Sequence, residues 1–172
     1  QLKHSLERLK AVELAPFRLL APMLDAVMSA HIVYQGIDAL HPATLSPTII
    51  QSLLREHCGF QGCVLSDDLE MKAISNTYTI PEAAYHAIVA GCDALLICRD
   101  TPMVYKTRDY LKERAMQEPD FAQRLLDAAQ RFINLRRSVH PPSLTDNFTL
   151  EQLHPPEVIE VRQELESRLK TL

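Results

Sequence analysis

The stretch from residue 62 to residue 71 reads GCVLSDDLEM. Its apolar run, from Cys63 to Leu65, is typical of a strand that is covered on both faces. Asp67 and Asp68 come directly afterwards, and no basic residue follows before Lys72. The stretch therefore predicts a buried strand that ends at Leu65 or Ser66, with two adjacent acids at its mouth.

Similar apolar runs lie on either side of this stretch, and helical patterns separate them. Further strands are predicted over residues 25–33 and 93–98. Helices are predicted over residues 5–20 (broken at Pro16), 47–59, 81–90, 103–114, 121–137 and 156–169. Ser46 is suited to be the N-cap of the second helix, and Gly59 and Gly91 are suited to end helices. Strands joined by helical crossovers predict an α/β fold with a parallel sheet.

Three strands make a thin parallel sheet. Such a sheet needs cover on both faces and leaves two open edges. The pattern is compatible with a small open α/β domain and with part of a larger closed one.

The composition indicates a globular protein. Of the 172 residues, 47% are hydrophobic and 23% are charged, and the formal net charge is -4. This charge argues against nucleic acid or an anionic lipid surface as the partner. No apolar run approaches the length needed to cross a bilayer, and the N-terminus is polar rather than signal-like. We expect a soluble, cytoplasmic protein.

The four cysteines match neither a zinc ribbon nor a C-x-x-C redox pair. They are Cys58, Cys63, Cys92 and Cys98. Three of them have apolar neighbours, so we expect reduced core residues, with a metal site or a disulfide as the alternative.

Polar side chains follow all three predicted strands at their carboxyl ends, where the sites of parallel α/β folds gather. They are His31, Asp67, Asp68, Arg99 and Asp100. A carboxylate there can be a nucleophile, a general base or a metal ligand, or it can cap the next turn. For Asp68 the cap is favoured, and for Asp67 the two readings are balanced. His31 can be a ligand or a buried histidine bonded to a carbonyl group, and Arg99 and Asp100 can simply pair at the rim.

Nucleotide-binding and serine-hydrolase motifs are absent. The sequence contains no G-x-G-x-x-G, no P-loop and no G-x-S-x-G, and it has four glycines in all.

Residues 59–71, GFQGCVLSDDLEM, resemble the nucleophile segment of glycoside hydrolase family 3, in its group of bacterial β-N-acetylhexosaminidases. Residues 27–31 resemble its M-T-A-H strand, with Ser29 in place of the usual threonine. Residues 42–46 resemble its P-A-T-L-S helix start, and residues 13–17 and 90–96 resemble the preceding helix and the last barrel strand.

The resemblance implies a role for three residues. Asp67 would be the nucleophile of a retaining glycosidase, which attacks the anomeric carbon and forms a covalent glycosyl-enzyme. His31 would contact the substrate, Met71 would lie beside the sugar pocket or pack under it, with packing favoured, and Asp68 would hold the turn. No metal or organic cofactor is implied.

The resemblance also exposes an absence. The acid/base histidine of the family lies on a loop with the motif K-H-F-P-G-H-G, and no part of residues 1–172 matches it. Because a (β/α)8 barrel needs about 250 residues, residues 1–137 are interpreted as its last three βα units and residues 138–172 as a helical tail. We expect this polypeptide alone to be inactive. We also expect its open edges to pair with the missing N-terminal half of the barrel or with a second copy of the chain.

The activity implied by the resemblance is removal of terminal N-acetylglucosamine from peptidoglycan fragments during cell-wall recycling. A β-glucosidase or a phosphorolytic relative is the alternative within the family. In the alternative of another class, Asp67 and Asp68 would hold a divalent cation in a small binding or phospho-acceptor domain.

Overall fold

The computed structural model describes residues 5–139 and Glu160. The chain divides into two compact units, residues 1–139 and residues 140–172. Glu160 is helical, and the rest of the helix predicted over residues 156–169 lies outside the described residues. In the described part of the chain, no helix has the length and apolar character that a membrane span requires.

Residues 5–139 of the first unit contain three strands and six α-helices, with 3-10 and π-helical segments between them. The strands are β1 (Ala26–Met28), β2 (Cys63–Asp68) and β3 (Ala94–Leu96). The α-helices are α1 (Leu6–Arg8), α2 (Ala15–Leu20), α3 (Lys72–Ser75), α4 (Ile80–Ala90), α5 (Thr101–Gln117) and α6 (Pro119–Ser138). Leu9–Glu13 and Thr48–His57 are π-helical, and Ala21–Met23 and Ala43–Leu45 are 3-10 turns.

The sheet is parallel throughout, in the order β1-β2-β3, as the helical crossovers predicted. Val27 pairs with Val64, and Leu65 pairs with Ala94. The register between β2 and β3 shifts between Leu65 and Asp68. The hydroxyl group of Ser66 accepts a hydrogen bond from the backbone N–H of Leu96 there (3.0 Å), so a buried side chain replaces a missing rung of the ladder.

The helix boundaries follow local signals. The helix predicted over residues 5–20 breaks at Leu14, just before Pro16. The Ser46 hydroxyl accepts from the backbone N–H of Ile49 (3.3 Å) at the start of the π-helix Thr48–His57, and Gly59 follows that helix with φ of 74°. Helix α4 begins at Ile80, one residue before the predicted start, with a capping box between Thr79 and Glu82.

The first strand differs from the prediction. The apolar run over residues 25–33 predicted a strand covered on both faces, but β1 is three residues long and the Met28 side chain is 54% exposed. Within the described sheet β1 is an edge strand, which pairs with β2 alone. After Ser29, whose N–H still bonds to Leu65, the chain leaves the sheet and brings His31 toward β2.

The second strand is longer than predicted. It runs through Asp67 and Asp68 instead of ending at Leu65 or Ser66. Asp68 still pairs with Leu96, and the N–H of Leu69 bonds to the Leu96 carbonyl (3.0 Å). The two acids are therefore the last residues of the strand, not the first residues of a loop.

The core lies between the sheet and the surrounding helices. Its largest fully buried side chains include Phe60, Ile50, Leu69, Ile74 and Val64. All four cysteines are free, which contradicts the disulfide alternative. Three are buried as predicted, and burial raises the pKa of the Cys92 thiol to about 12. The expectation of a core position is wrong for Cys98, which is exposed beside the carboxyl end of the sheet.

At the amino end of the sheet, one buried carboxylate links the strands to the neighbouring helices. Asp93, whose side chain is fully buried, binds Arg55 (2.6 Å), Arg124 (2.9 Å) and Arg131 (3.3 Å). It also accepts from the backbone N–H of Val64 (2.9 Å). Burial lowers the pKa of the Arg55 guanidinium, and the charge of Asp93 opposes that change. This cluster fixes α6 and the π-helix Thr48–His57 to the start of β2 and β3. It lies at the end of the sheet opposite Asp67 and Asp68.

Candidate active site

The candidate site lies at the carboxyl end of β2, where Asp67 is half-buried. Its Oδ1 atom accepts a hydrogen bond from the backbone N–H of Asp68 (2.8 Å). Among the described residues, no other group donates to this carboxylate and no cation pairs with it. One oxygen atom of Asp67 is therefore available to a ligand.

Asp68 shapes the turn that carries Asp67. Its Oδ1 atom accepts from the N–H of Glu70 (3.1 Å), and its backbone carbonyl accepts from the N–H of Met71 (3.0 Å). Its other carboxylate oxygen lies 4.0 Å from the Arg99 guanidinium. The prediction that Asp68 holds the turn is confirmed.

His31 reaches the same turn from the loop after β1. Its Nε2 atom lies 2.9 Å from the Asp68 carbonyl oxygen, and its Nδ1 atom lies 2.9 Å from the hydroxyl of the buried Thr44. A carbonyl oxygen only accepts, so Nε2 carries a proton. In the neutral ring Nδ1 then accepts from Thr44, and Thr44 accepts from Ser29 (2.9 Å). Both ring nitrogen atoms are thus bonded within the chain, so a substrate would meet His31 only through its ring carbons.

Met71 directly precedes α3, and its side chain is 40% exposed. The sequence favoured a packing position for it, but the exposed side chain does not fit that expectation. Contact between Met71 and a sugar remains a prediction.

Glu70 joins the ends of β2 and β3, a role that the sequence reading missed. Its carboxylate accepts from the backbone N–H of Arg99 (2.6 Å) and of Asp100 (3.2 Å). Asp100 in turn caps α5 by accepting from the N–H of Met103 (3.1 Å). The predicted parallel sheet brings the loops at the carboxyl ends of its strands together. Glu70, an acid three residues after Asp67, was the signal in the sequence that could have indicated this contact.

Cys98 also lies at the carboxyl end of the sheet, close to Asp68 and Glu70. Desolvation raises the pKa of its thiol, and the charges of Asp68 and Glu70 act in the same direction. The thiol is therefore mostly protonated at neutral pH, so it is a weak nucleophile.

The loop between β1 and the π-helix Thr48–His57 is fixed by Asp38. This carboxylate accepts from the Ser46 hydroxyl (2.7 Å) and from the backbone N–H of His41 (3.0 Å) and Leu40 (3.1 Å). Burial acts to raise the pKa of Asp38, but these hydrogen bonds outweigh it and the pKa lies below its ordinary value. Asp38 thus supports the loop on which Thr44 reaches His31.

The described residues contain no cluster of side chains suited to a metal centre. No group of three or more histidine, cysteine or carboxylate side chains within residues 5–139 is arranged to hold a metal ion. Nothing observed therefore favours the cation-binding alternative for Asp67 and Asp68.

Comparison with known protein families gives one clear match. The model described as the glycosyl hydrolase family 3 N terminal domain matches residues 1–135. The three-stranded parallel sheet with its helices is consistent with part of the barrel of such a domain.

Curated relatives agree with this match. The chain is 36% identical over 121 residues to a protein named beta-hexosaminidase from Idiomarina loihiensis, which covers 70% of this chain and 36% of the relative. It is 39% identical over 121 residues to a beta-hexosaminidase from Neisseria meningitidis, covering 70% of this chain and 33% of that one. The chain thus spans about a third of the length of these curated relatives.

Solved structures show the same likeness. A beta-N-acetylglucosaminidase from Thermotoga maritima superposes with a TM-score of 0.72 at 32% identity, over 81% of this chain and 31% of that one. A glycoside hydrolase family 3 beta-N-acetylglucosaminidase from Paenibacillus superposes with a TM-score of 0.70 at 31% identity, over 92% of this chain and 32% of that one.

Proposed function

We propose, from the premise that this chain belongs to glycosyl hydrolase family 3, that it carries the nucleophile of a retaining exo-β-N-acetylglucosaminidase. The observation that carries the proposal is Asp67, at the carboxyl end of β2, with one carboxylate oxygen free of partners among the described residues. The names of the curated and solved relatives, beta-hexosaminidase and beta-N-acetylglucosaminidase, support an activity of this class.

In the proposed reaction, Asp67 attacks the anomeric carbon while the glycosidic oxygen leaves as an alcohol. Attack breaks the glycosidic bond and forms an ester between the sugar and Asp67, and water then hydrolyses that ester with retention. Asp67 must be ionised to attack, and no guanidinium or ammonium pairs with it among the described residues. The bonds of Asp68 and His31 to the turn hold the carboxylate in place, so little reorganisation is needed at attack.

The leaving oxygen needs a proton, and the attacking water needs a base. Both steps require a second titratable group near the sugar. The loop motif that supplies this group in the family is missing from residues 1–172. We therefore infer that residues 1–172 alone are inactive and that polypeptide outside them supplies the acid/base.

The edges of the sheet are where such a polypeptide would dock. The sheet leaves β1 and β3 each with one unpaired edge among the described residues. In this proposal residues 1–137 are the last three βα units of a (β/α)8 barrel and residues 138–172 are a tail. The partner is the N-terminal part of the barrel, or else a second copy of the chain.

The proposed substrate is a peptidoglycan fragment with a terminal N-acetylglucosamine, cleaved in the cytoplasm during cell-wall recycling. The mechanism itself calls for no metal or organic cofactor, because a carboxylate and an acid/base suffice. His31 and Met71 remain the candidate substrate contacts on this chain. Phosphate in place of water as the second nucleophile would make the enzyme a phosphorylase.

A trapped intermediate tests the proposal. The chain is incubated with 5-fluoro-N-acetylglucosaminyl fluoride, alone and with the N-terminal part of the barrel, called the upstream polypeptide below, and the adduct is mapped by mass spectrometry. We expect a sugar on Asp67 that is absent from Asp67→Asn. Because fluoride leaves without being protonated, this first step does not need the missing acid, and trapping should be faster in the mixture only if the added part also helps to bind the sugar. An adduct on another residue, or none in a well-folded mixture, would remove Asp67 from this role. Turnover by the chain alone would show that no second polypeptide is required.

A further inference from the structure

The carboxyl end of β2 carries three negative side chains within four residues. Asp67, Asp68 and Glu70 lie there, and Arg99 is the basic residue whose guanidinium pairs with this group, 4.0 Å from Asp68. A ligand with a negative charge would be repelled by the three carboxylates unless a cation stood beside its path.

Arg99 has a fixed backbone and a free side chain. The Glu70 carboxylate holds the N–H groups of Arg99 and Asp100 at 2.6 and 3.2 Å, so the position of the loop is set. The Arg99 side chain is nevertheless 73% exposed, and the one ion pair that it makes within the described part of the chain is long, at 4.0 Å. Most of its five N–H donors therefore remain available to a ligand at the rim.

We propose that Arg99 is a specificity-determining residue that binds a carboxylate on the leaving group of the substrate. This role rests on the proposed function. When Asp67 attacks from the floor of the site, the leaving group departs on the opposite, solvent side of the anomeric carbon, where rim residues meet it. The planar guanidinium binds a carboxylate through two parallel hydrogen bonds, whereas a neutral leaving group gains nothing from it.

The kinetic test compares two substrates that differ only in charge. They are the disaccharide of N-acetylglucosamine linked to N-acetylmuramic acid, and the methyl ester of its lactyl carboxylate. The variants are Arg99→Ala, Arg99→Lys and the control Arg108→Ala, an exposed arginine of α5 that pairs with Asp109. All are assayed in the form of the protein that cleaves the ester, alone or with the upstream polypeptide.

In wild type the acid should have the higher kcat/KM, and Arg99→Ala should reduce the acid-to-ester ratio by up to about five-fold, the upper end of the range of an exposed ion pair. Arg99→Lys should restore part of the ratio, and Arg108→Ala should leave it unchanged. Added salt should reduce the preference in wild type. Cleavage of both substrates with an unchanged ratio in Arg99→Ala would overturn the role of Arg99.

A binding measurement separates this role from the proposed activity. N-acetylmuramic acid and its methyl ester are titrated into the chain and followed by NMR. Tighter binding of the acid in wild type, lost in Arg99→Ala and kept in Arg108→Ala, supports the role even if no turnover is found, in which case only the proposed function fails. Equal binding of acid and ester to wild type would overturn it.

Discussion

The Nε2 atom of His31 lies 2.9 Å from the backbone carbonyl oxygen of Asp68, and this hydrogen bond joins the loop after β1 to the end of β2. The other ring nitrogen of His31 bonds to Thr44, which is completely buried. The turn that carries Asp67 is therefore positioned by three separate segments of the chain. Its geometry depends on the hydrogen bonds of His31 and Thr44, and the surrounding core restricts the movement of these side chains.

Replacing His31 with phenylalanine should weaken this turn. The ring is kept, but the Asp68 carbonyl loses one of its two donors and the Thr44 hydroxyl loses its acceptor. Unpaired buried groups cost about 1–3 kcal/mol each, so the free energy of unfolding should fall by about that amount. The rate of adduct formation at Asp67 should fall about ten-fold or more, because a small misplacement of a reacting group slows attack strongly.

Urea denaturation and the fluorosugar trapping rate measure these two effects. His57→Phe is the control, because His57 lies at the end of the π-helix Thr48–His57 and takes no part in these hydrogen bonds. If His31→Phe kept both the stability and the trapping rate of the wild type, the hydrogen bonds of His31 would have no role in positioning Asp67.

The sequence predicted the elements of this site better than their contacts. Helical crossovers between apolar runs predicted the parallel sheet, and the position of Asp67 and Asp68 after such a run predicted a site at its carboxyl end. The partners of His31 are 13 and 37 residues away, and no local pattern indicates them. The extension of β2 through Asp68 likewise depends on β3, because Leu96 accepts the next rung of the ladder.

The three arginines around Asp93 were missed for the same reason. Their positions, 31 to 38 residues from Asp93, look in the sequence like ordinary surface charges on helices. Only the packing of α6 and the π-helix Thr48–His57 against the amino end of the sheet brings them to one carboxylate. A charge pattern within a single helix carries no information about such a cluster.

Replacing Asp93 with alanine should strongly destabilise the protein. The change leaves the largely buried guanidinium groups of Arg55 and Arg124 without their counter-charge, and removes an acceptor from the Val64 N–H. Breaking a buried ion pair in this way costs about 3–5 kcal/mol. The free energy of unfolding in urea measures the loss.

Asp109→Ala is the matched control for Asp93→Ala. Asp109 also pairs with an arginine, at 2.7 Å, but both side chains are largely exposed. Its removal should change the free energy of unfolding by no more than about 1 kcal/mol. Similar losses in the two variants would mean that burial gives the Asp93 cluster no special weight.

Asp38 should make stability depend on acidic pH. Its hydrogen bonds from Ser46, His41 and Leu40 hold its folded-state pKa below the unfolded value of about 3.9. The unfolded state then binds more protons in this range, so stability rises with pH. The contribution is fully present above the unfolded pKa and is lost as the pH falls through the folded pKa.

Urea denaturation of wild type and Asp38→Asn between about pH 3 and pH 6 tests this sign, because the unfolded carboxyl titrates near the middle of that range. The stability difference between the two proteins should be largest at the upper end and should shrink toward the lower end. A difference that stays constant, or grows on acidification, would mean that Asp38 is not held ionised by these hydrogen bonds.

The edge of β1 should decide whether the chain associates. Its backbone groups on the side away from β2 are unpaired among the described strands, and Met28, a residue of this strand, is 54% exposed. Lysine on an edge strand opposes pairing with another strand, because its charge would have to be buried. Met28→Lys should therefore abolish binding to the upstream polypeptide, or to a second copy, without unfolding the chain.

Light scattering after size-exclusion chromatography measures the association, and Met116→Lys, at an 81% exposed position on α5, is the control. Association by Met28→Lys equal to that of Met116→Lys would place the interface elsewhere.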